Sequence, residues 1–261
     1  MAYNGMIAEN LILAGDGGDE IECYCARPLG PGPFPGVVVI HHMPGWDEWT
    51  FEVVRKLAHN GYAAISPHLF HRFNTTGSYD DAAARGRAEG GMVDSQVMGD
   101  VASGMTFLRN QVFSSGKIGI IGFCSGGRHV VLAASQLEGV DAAVDCWGGG
   151  VIVEDPSALT PQRPVAPIDL TEQLNAPLLG IFGNEDANPT PEHVNQHEDT
   201  LKRFGKNYEF HRYDGAGHAF FDWNRGSRYR ADQAVDAWGN VFAFYERYLS
   251  TSDVPQGAAV S

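Results

Sequence analysis

The sequence predicts an α/β protein with one mostly parallel central sheet and helices on both of its faces. Short apolar, β-branched runs alternate with longer segments of helical periodicity from residue 37 onward, which is typical of parallel sheets. The 261 residues are 43% hydrophobic and 19% charged, the composition of a folded chain with a large core. A pattern typical of a hairpin precedes these runs and predicts an antiparallel pair at one edge of the sheet.

The first elements are the hairpin, a central strand and a helix. Residues 6–27 alternate partly between apolar and polar side chains around the glycine-rich turn 15–18, which predicts an antiparallel hairpin. After a break rich in proline and glycine, the β-branched run 37–40 predicts a strand buried on both faces. A helix is predicted over 49–60, with Gly61 just after its end.

The alternation continues to the last helix, which has the clearest pattern. Apolar side chains recur there at intervals of three and four residues from Ala231 to Leu249, so one face of this helix is expected to pack on the sheet. The remaining predicted elements are strands at 62–65, 118–121, 142–146, 178–182 and 208–213, and helices at 93–110, from Ser125, and at 191–204.

One domain is expected to span residues 1–261, since no repeat, low-complexity tract or change in composition marks a linker. The stretch 148–177 is rich in proline and has little periodicity. It is expected to form a long excursion between two strands and to serve as a lid or a contact loop. Residues 70–91 are interpreted as a second loop, and residues 251–261 as a flexible tail.

The charge balance argues against partners that carry phosphate. The chain has 18 basic and 32 acidic side chains, a formal net charge of −14 with histidine neutral. Nucleic acids and anionic membranes attract proteins mainly through Lys and Arg, so neither is an expected partner. The N-terminus lacks a signal-peptide pattern and no apolar run is long enough to span a membrane. A soluble cytoplasmic protein, monomeric or homodimeric, is therefore expected.

The chain has few cysteines, and one of them stands in a motif. The four are Cys23, Cys25, Cys124 and Cys146, too few and too irregularly spaced for a disulfide scaffold. Cys124 is the centre of Gly122-Phe123-Cys124-Ser125-Gly126-Gly127, between a predicted strand and a predicted helix. So sharp a turn requires glycine two residues before and after the centre and exposes the central side chain above the sheet.

A helix N-terminus favours negative charge and lowers the pKa of a thiol placed there. The motif therefore predicts Cys124 as a nucleophile, the alternative being a small core residue on a tight turn. A nucleophile at this position needs an acid and a histidine that follow it in that order. Asp186, after the strand 178–182, is assigned as the acid, with Glu185 as its rival because one step in register exchanges them. His218, in a glycine-rich loop after the last predicted strand, is assigned as the base.

An oxyanion hole needs two N–H donors near the nucleophile. The predicted donors are the amides of Ser125, next to the nucleophile, and of Met43, in the loop after the first buried strand. Trp46, in the same loop, is expected either to border the substrate pocket or to pack in the core. No cofactor or metal site is predicted, because His193 and His197 share a helix face without a third ligand.

These segments together resemble the dienelactone hydrolase family, a cysteine branch of the α/β-hydrolase fold. The resemblance extends over nearly the whole chain and rests on four segments, 37–45, 61–67, 122–127 and 215–220. It implies an α/β-hydrolase fold and hydrolysis of small lactones or carboxylic esters without a cofactor. The triad that it implies is Cys124, His218 and Asp186.

Two features depart from the family pattern. Where well-known dienelactone hydrolases have a glutamate that interacts with the cysteine, this chain has His42, which is expected to stabilise the thiolate, to bind substrate or simply to pack. The family also binds the carboxylate of its substrate through arginines. Asp222 stands at one such position, with Arg225 three residues further on. Arg85 and Arg87 are rough counterparts of the other arginine, so the resemblance leaves the substrate open.

Two other functions compete with the predicted hydrolysis of small esters or lactones. Class I glutamine amidotransferases share the Gly-x-Cys-x-Gly turn, but their acid closely follows the histidine, whereas Ala219 and Phe220 follow His218 here. The missing glutamate and the displaced arginine motivate the second alternative, a non-catalytic or altered-specificity binding protein on a retained hydrolase scaffold.

Overall fold

The computed structural model describes Tyr3 and residues 5–250, which form a single eight-stranded sheet with helices around it. The strands are β1 (Met6–Ala14), β2 (Glu20–Pro28), β3 (Phe34–Ile40), β4 (Ala63–Pro67), β5 (Ser114–Phe123), β6 (Ala142–Cys146), β7 (Leu178–Gly183) and β8 (Tyr208–Tyr213). Their order is β1-β2-β4-β3-β5-β6-β7-β8. Strands β3 to β8 are parallel, and β1 and β2 are antiparallel additions at one edge. The predicted fold class is confirmed, while the proposed tail 251–261 lies outside the described residues.

The helices bury two apolar layers against opposite faces of the sheet. They are α1 (Glu48–His59), α2 (Tyr79–Ala88), α3 (Asp94–Arg109), α4 (Ser125–Gln136), α5 (Pro191–Arg203) and α6 (Ala231–Leu249). Val38 and Ile120 belong to the layer under α3 and α4, whereas Val39 and Ile121 belong to the layer under α1 and α6. Successive residues of a strand point to opposite faces, which explains why these central strands are apolar throughout. None of the described helices is both long and apolar enough to cross a membrane.

Helix α2 corrects the interpretation of residues 70–91 as a loop. The hydroxyl of Ser78 accepts a hydrogen bond from the Asp81 amide and caps the helix. The buried face of α2 consists of small residues, Ala82, Ala83 and Gly86. Because no large apolar side chains recur at helical spacing, the hydrophobic pattern gives no sign of this helix.

The excursion between β6 and β7 contains two short 3₁₀ helices, Pro156–Ala158 and Pro167–Gln173. Between them, Thr160 and Arg163 pair across a tight turn. The carbonyl of Gln162 in this turn accepts a hydrogen bond from the Asp94 amide at the start of α3. The excursion is therefore fastened to the helix layer on one side of the sheet.

The loops that leave the parallel strands at their carboxyl ends meet along one edge of the sheet. Residues 41–47 follow β3, Cys124 follows β5, residues 147–150 follow β6, and residues 184–190 follow β7. The loop after β8 joins them from the far side. This is the edge at which parallel α/β sheets place their functional residues.

Candidate active site

Cys124 occupies a strained turn between β5 and α4. Its backbone has φ 56° and ψ −118°, a conformation that residues with side chains rarely adopt. A Cβ atom on Gly122 would lie 2.1 Å from the Gly126 carbonyl oxygen, and one on Gly126 would lie 2.1 Å from the Ile40 carbonyl oxygen. Both positions therefore accept only glycine, which is the steric reason for the spacing seen in the sequence.

His218 and Asp186 form a hydrogen-bonded pair beside this turn. His218 Nδ1 donates to Asp186 Oδ2 at 2.9 Å, and the carboxylate of Asp186 is 2% exposed. The other carboxylate oxygen accepts from the Asn188 amide at 2.8 Å. Glu185, the rival acid, is exposed, so the register of this loop directs Asp186 rather than Glu185 toward the histidine.

The environment favours a charged pair at Cys124 and His218. Burial raises the pKa of the Cys124 thiol, but the hydrogen bond and charge of His218, with the Ser125 and Met43 amides, outweigh burial and hold the pKa below its ordinary value. Burial lowers the pKa of His218, but hydrogen bonds to Asp186 and Cys124, and the charges of both, raise it to about 9. The charged form of each group therefore favours the charged form of the other.

The backbone N–H groups of Ser125 and Met43 lie beside the Cys124 side chain and lower the pKa of its thiol. Ser125 supplies the first N–H of α4, which has no partner within the helix. Met43 lies in a turn after β3 that is closed by a hydrogen bond from the Gly45 amide to the His42 carbonyl. The structure thus brings both residues predicted as oxyanion donors to the nucleophile.

His42 makes its contacts away from Cys124. Its Nε2 lies 3.0 Å from Asp47 Oδ2, and among the described residues none of its hydrogen bonds reaches the thiol. His42, Asp47 and Asp222 place their potential metal-ligand atoms within 4.8 Å of one another. However, Asp222 Oδ2 already accepts from Arg225 Nε at 3.0 Å, and His42 is engaged by Asp47. These contacts satisfy the cluster internally and hold the predicted substrate-binding Arg225 on Asp222.

Trp46 is part of a buried aromatic cluster. It is 2% exposed, and its Nε1 donates to Ser66 Oγ at 3.1 Å. Its ring packs against those of His68 and Tyr79, with centroids 4.9 Å and 5.2 Å away. Of the two roles expected for this tryptophan, the contacts are those of core packing.

The two arginines predicted on residues 70–91 differ in position. Arg85 is exposed and donates to the hydroxyl of Thr75. Arg87 donates from Nη1 to the Met43 carbonyl at 3.2 Å. Arg87 therefore lies beside the loop that carries an oxyanion donor, whereas Arg85 is engaged within its own segment.

A further arginine, Arg163, lies near the nucleophile and was not among the candidates from sequence. A Cβ atom on Gly91 would lie 2.3 Å from Arg163 Nη2 and 3.7 Å from Met43 Cε, so the guanidinium and the Met43 side chain meet over Gly91. Arg163 is partly buried, and its Nε has no hydrogen-bond partner among the described residues. Burial and the positive charge of Arg128 lower the pKa of Arg163, although the negative charges of Asp94 and Cys124 raise it.

Asp94, whose negative charge acts on Arg163, belongs to another ion pair. Arg128 Nη1 and Nη2 donate to Asp94 Oδ1 and Oδ2 at 2.6 Å and 2.9 Å, a bidentate geometry. His129 Nε2 lies 3.1 Å from the same carboxylate. Arg128 thus neutralises Asp94, and Arg163 forms no ion pair with a carboxylate of the described residues. No sequence motif marks Arg163, because only the folding of the 148–177 excursion brings it to the site.

The fold and the elbow define the protein as an α/β hydrolase. The sequence model of the dienelactone hydrolase family matches residues 21–249, and the chain belongs to that family.

Relatives of similar length support this assignment. The chain is 32% identical to a "putative carboxymethylenebutenolidase" of Methylorubrum extorquens, over 94% of this chain and 82% of the relative. It is 28% identical to a "probable 2-oxo-3-(5-oxofuran-2-ylidene)propanoate lactonase" of Bradyrhizobium, over 93% and 96% of the two chains. The solved structure of a "putative dienelactone hydrolase" from Klebsiella pneumoniae is 29% identical, covers 94% of this chain and 100% of its own, and superposes with a TM-score of 0.83.

Proposed function

We propose that the protein hydrolyses small carboxylic esters or lactones through a triad of Cys124, His218 and Asp186. The observation that carries this proposal is the hydrogen-bonded pair of His218 and Asp186 beside the strained turn at Cys124, where His218 and the amides of Ser125 and Met43 lower the pKa of the thiol. The family to which the chain belongs consists of hydrolases, which supports the same reaction class.

The first half of the reaction forms an acyl-enzyme. The Cys124 thiolate attacks the carbonyl carbon, and the electron pair of the carbonyl moves to its oxygen, which the two amides stabilise. When the intermediate collapses, the bond to the alkoxide breaks and the imidazolium of His218 donates its proton to the leaving oxygen. A thioester on Cys124 and a neutral histidine remain.

The second half restores the resting state. Neutral His218 takes a proton from water while the water oxygen attacks the thioester carbonyl, and the sulfur leaves as thiolate. The products are the acid and the original thiolate and imidazolium pair. Asp186 holds the imidazole in the tautomer that directs Nε2 to the reaction and stabilises its charged form.

Arg163 supports a preference for substrates that carry an anionic group. Its partly buried cation has no carboxylate partner among the described residues and lies with Arg87 beside Met43. A carboxylate on the substrate would give this cation the partner it lacks and form charge-assisted hydrogen bonds. The site would thereby attract an anion despite the net charge of −14.

The alternatives have less support. A glutamine amidotransferase has its acid close after the histidine, whereas the acid that contacts His218 is Asp186, which precedes it. A binding protein without catalytic activity has no need of a reactive thiolate. The surroundings of Cys124 lower the pKa of its thiol, which favours a nucleophile instead.

Turnover of p-nitrophenyl acetate and dihydrocoumarin by Cys124→Ala tests the proposal, with Cys146→Ala as the matched control. Cys146 is fully buried at the end of β6 and its thiol pKa is raised by burial and by Asp145, so its replacement should leave turnover within a few-fold. The Cys124 variant should lose turnover entirely. Retained hydrolysis by Cys124→Ala would overturn the assignment of the nucleophile.

A further inference from the structure

Asp145 is a fully buried carboxyl group that the proposed reaction does not use. It lies near the carboxyl end of β6 and is 0% exposed. Its neighbours across the sheet are Gly122 on β5 and Gly180 on β7. The sheet thus places this acid between the strand that leads to Cys124 and the strand that leads to Asp186.

One oxygen of Asp145 closes a tight turn. Oδ1 accepts a hydrogen bond from the Gly148 amide at 2.8 Å, and within this turn Trp147 has φ 43°. A bulky residue keeps such a left-handed conformation only where its surroundings hold it. The backbone of the turn is also tied to both neighbouring strands, by Trp147 N–H to the Ile181 carbonyl at 2.9 Å and by Cys124 N–H to the Cys146 carbonyl at 3.0 Å.

The turn presents the indole of Trp147 to the histidine. The rings of Trp147 and His218 meet edge to face with centroids 6.3 Å apart. Trp147 is 1% exposed and packs on its other sides against Phe221 and Phe123, at 5.0 Å and 5.6 Å. Because packed aromatic rings have little freedom, the position of Trp147 restricts the orientation of His218.

No side chain among the described residues donates a hydrogen bond to the second carboxylate oxygen of Asp145. Oδ2 is buried without a hydrogen-bond partner. The carboxyl faces the backbone of Gly127 on α4 and of Gly148, whereas the adjacent Cys146 belongs to the apolar layer on the opposite face of the sheet. The guanidinium of Arg128 points instead to Asp94.

Burial accordingly raises the pKa of Asp145 to about 7, although the Gly148 hydrogen bond lowers it.

We propose that Asp145 is a positioning residue for His218 and acts on it through the Gly148 turn and the ring of Trp147. The inference rests on the proposed function of Cys124 and His218. It concerns a residue that contacts neither the thiol nor the substrate, and its effect should pass entirely through Trp147.

A double-mutant cycle of Asp145→Ala and Trp147→Phe tests this route, with Asp145→Asn as the variant that keeps an acceptor for Gly148. Asp145→Ala should lower kcat for p-nitrophenyl acetate about 10-fold or more with little change in KM, since a small displacement of a catalytic group slows the chemical step. Asp145→Asn should retain most of kcat. The double variant should be no slower than the slower single variant, because both changes disturb the same contact.

Iodoacetamide labelling of Cys124 across pH provides a readout that does not depend on turnover. If His218 is displaced in Asp145→Ala, it stabilises the thiolate less, so the labelling curve should move to higher pH, and that of Asp145→Asn should move less. Multiplicative losses in the double variant, or a wild-type labelling curve in Asp145→Ala, would overturn the proposal. If Cys124→Ala retained turnover, the proposed function would fail, while the labelling curves would still decide whether Asp145 positions His218.

Discussion

Replacement of Asp145 by asparagine should change how the stability of the protein depends on pH. The pKa of this carboxyl rises from its ordinary value of 3.8 to about 7 in the folded protein. Between these values the folded state retains a proton that the unfolded chain has released. The free energy of unfolding therefore falls as the pH rises through this window, and the loss is complete above about pH 7.

The size of the effect follows from the shift. Each unit of pKa corresponds to about 1.4 kcal/mol, so ionisation of Asp145 destabilises the folded protein by at most about 4 kcal/mol. Asparagine keeps an oxygen for the Gly148 amide and cannot ionise. Its NH₂ group replaces the unpartnered Oδ2 and costs about 1–3 kcal/mol at every pH. Since the wild type loses about 1.4 kcal/mol for each pH unit between 5 and 7 and the variant does not, the variant should gain about 3 kcal/mol in stability relative to the wild type from pH 5 to pH 8.

Urea unfolding of both proteins at pH 5, 6, 7 and 8 measures the difference. The control is Asp169→Asn, a change at an exposed carboxylate, which should track the wild type at every pH. A constant difference between Asp145→Asn and the wild type over this range would refute the reasoning, because it would mean that Asp145 does not change its charge there.

Three other changes test the site and its supports. Asp186→Asn should lower kcat/KM by about 10²–10⁴-fold and move iodoacetamide labelling of Cys124 to higher pH, since the imidazolium loses its partner. Glu185→Gln, the control, should leave both measurements unchanged. Equal losses in the two variants would contradict the assignment of Asp186 as the acid. Arg163→Gln should raise KM about 10-fold or more for an ester that carries a carboxylate, whereas an equal rise for its neutral methyl ester would exclude an anion subsite. Asp94→Ala leaves the buried Arg128 unpaired and should cost about 3–5 kcal/mol in urea unfolding, and a loss below 1 kcal/mol would show that Arg128 finds another partner.

Much of the fold follows from local pattern. The strand 142–146 has the predicted bounds, since it follows Asp141 and ends shortly before the glycines 148–150. The hairpin and the last helix follow equally well from their periodicities. Helix α2 could not be predicted in this way, since its contacts with the core are made by alanine and glycine.

The site residues differ in the same way, since some have a local sequence pattern and others do not. Cys124 and His218 could be proposed from the sequence because the glycine spacing around Cys124 and the order of the residues along the chain point to them. The choice between Asp186 and Glu185 depends on one step of register, which hydrogen bonds to His218 and Asn188 decide. No sequence motif marks Arg163 or Asp145. Their roles could not be predicted because they depend on contacts with segments that are distant in the sequence. Cytoplasmic location and oligomeric state stay predictions from the sequence.

The most direct test of the central claim is to find the acyl group. Protein mixed with p-nitrophenyl acetate, quenched in acid within the first turnovers and digested should yield one acetylated peptide, with the acetyl group on the sulfur of Cys124. The adjacent Ser125 hydroxyl, which is buried without a hydrogen-bond partner among the described residues, is the internal control. An acetyl group on Ser125, or hydrolysis without any acylated cysteine, would contradict the account.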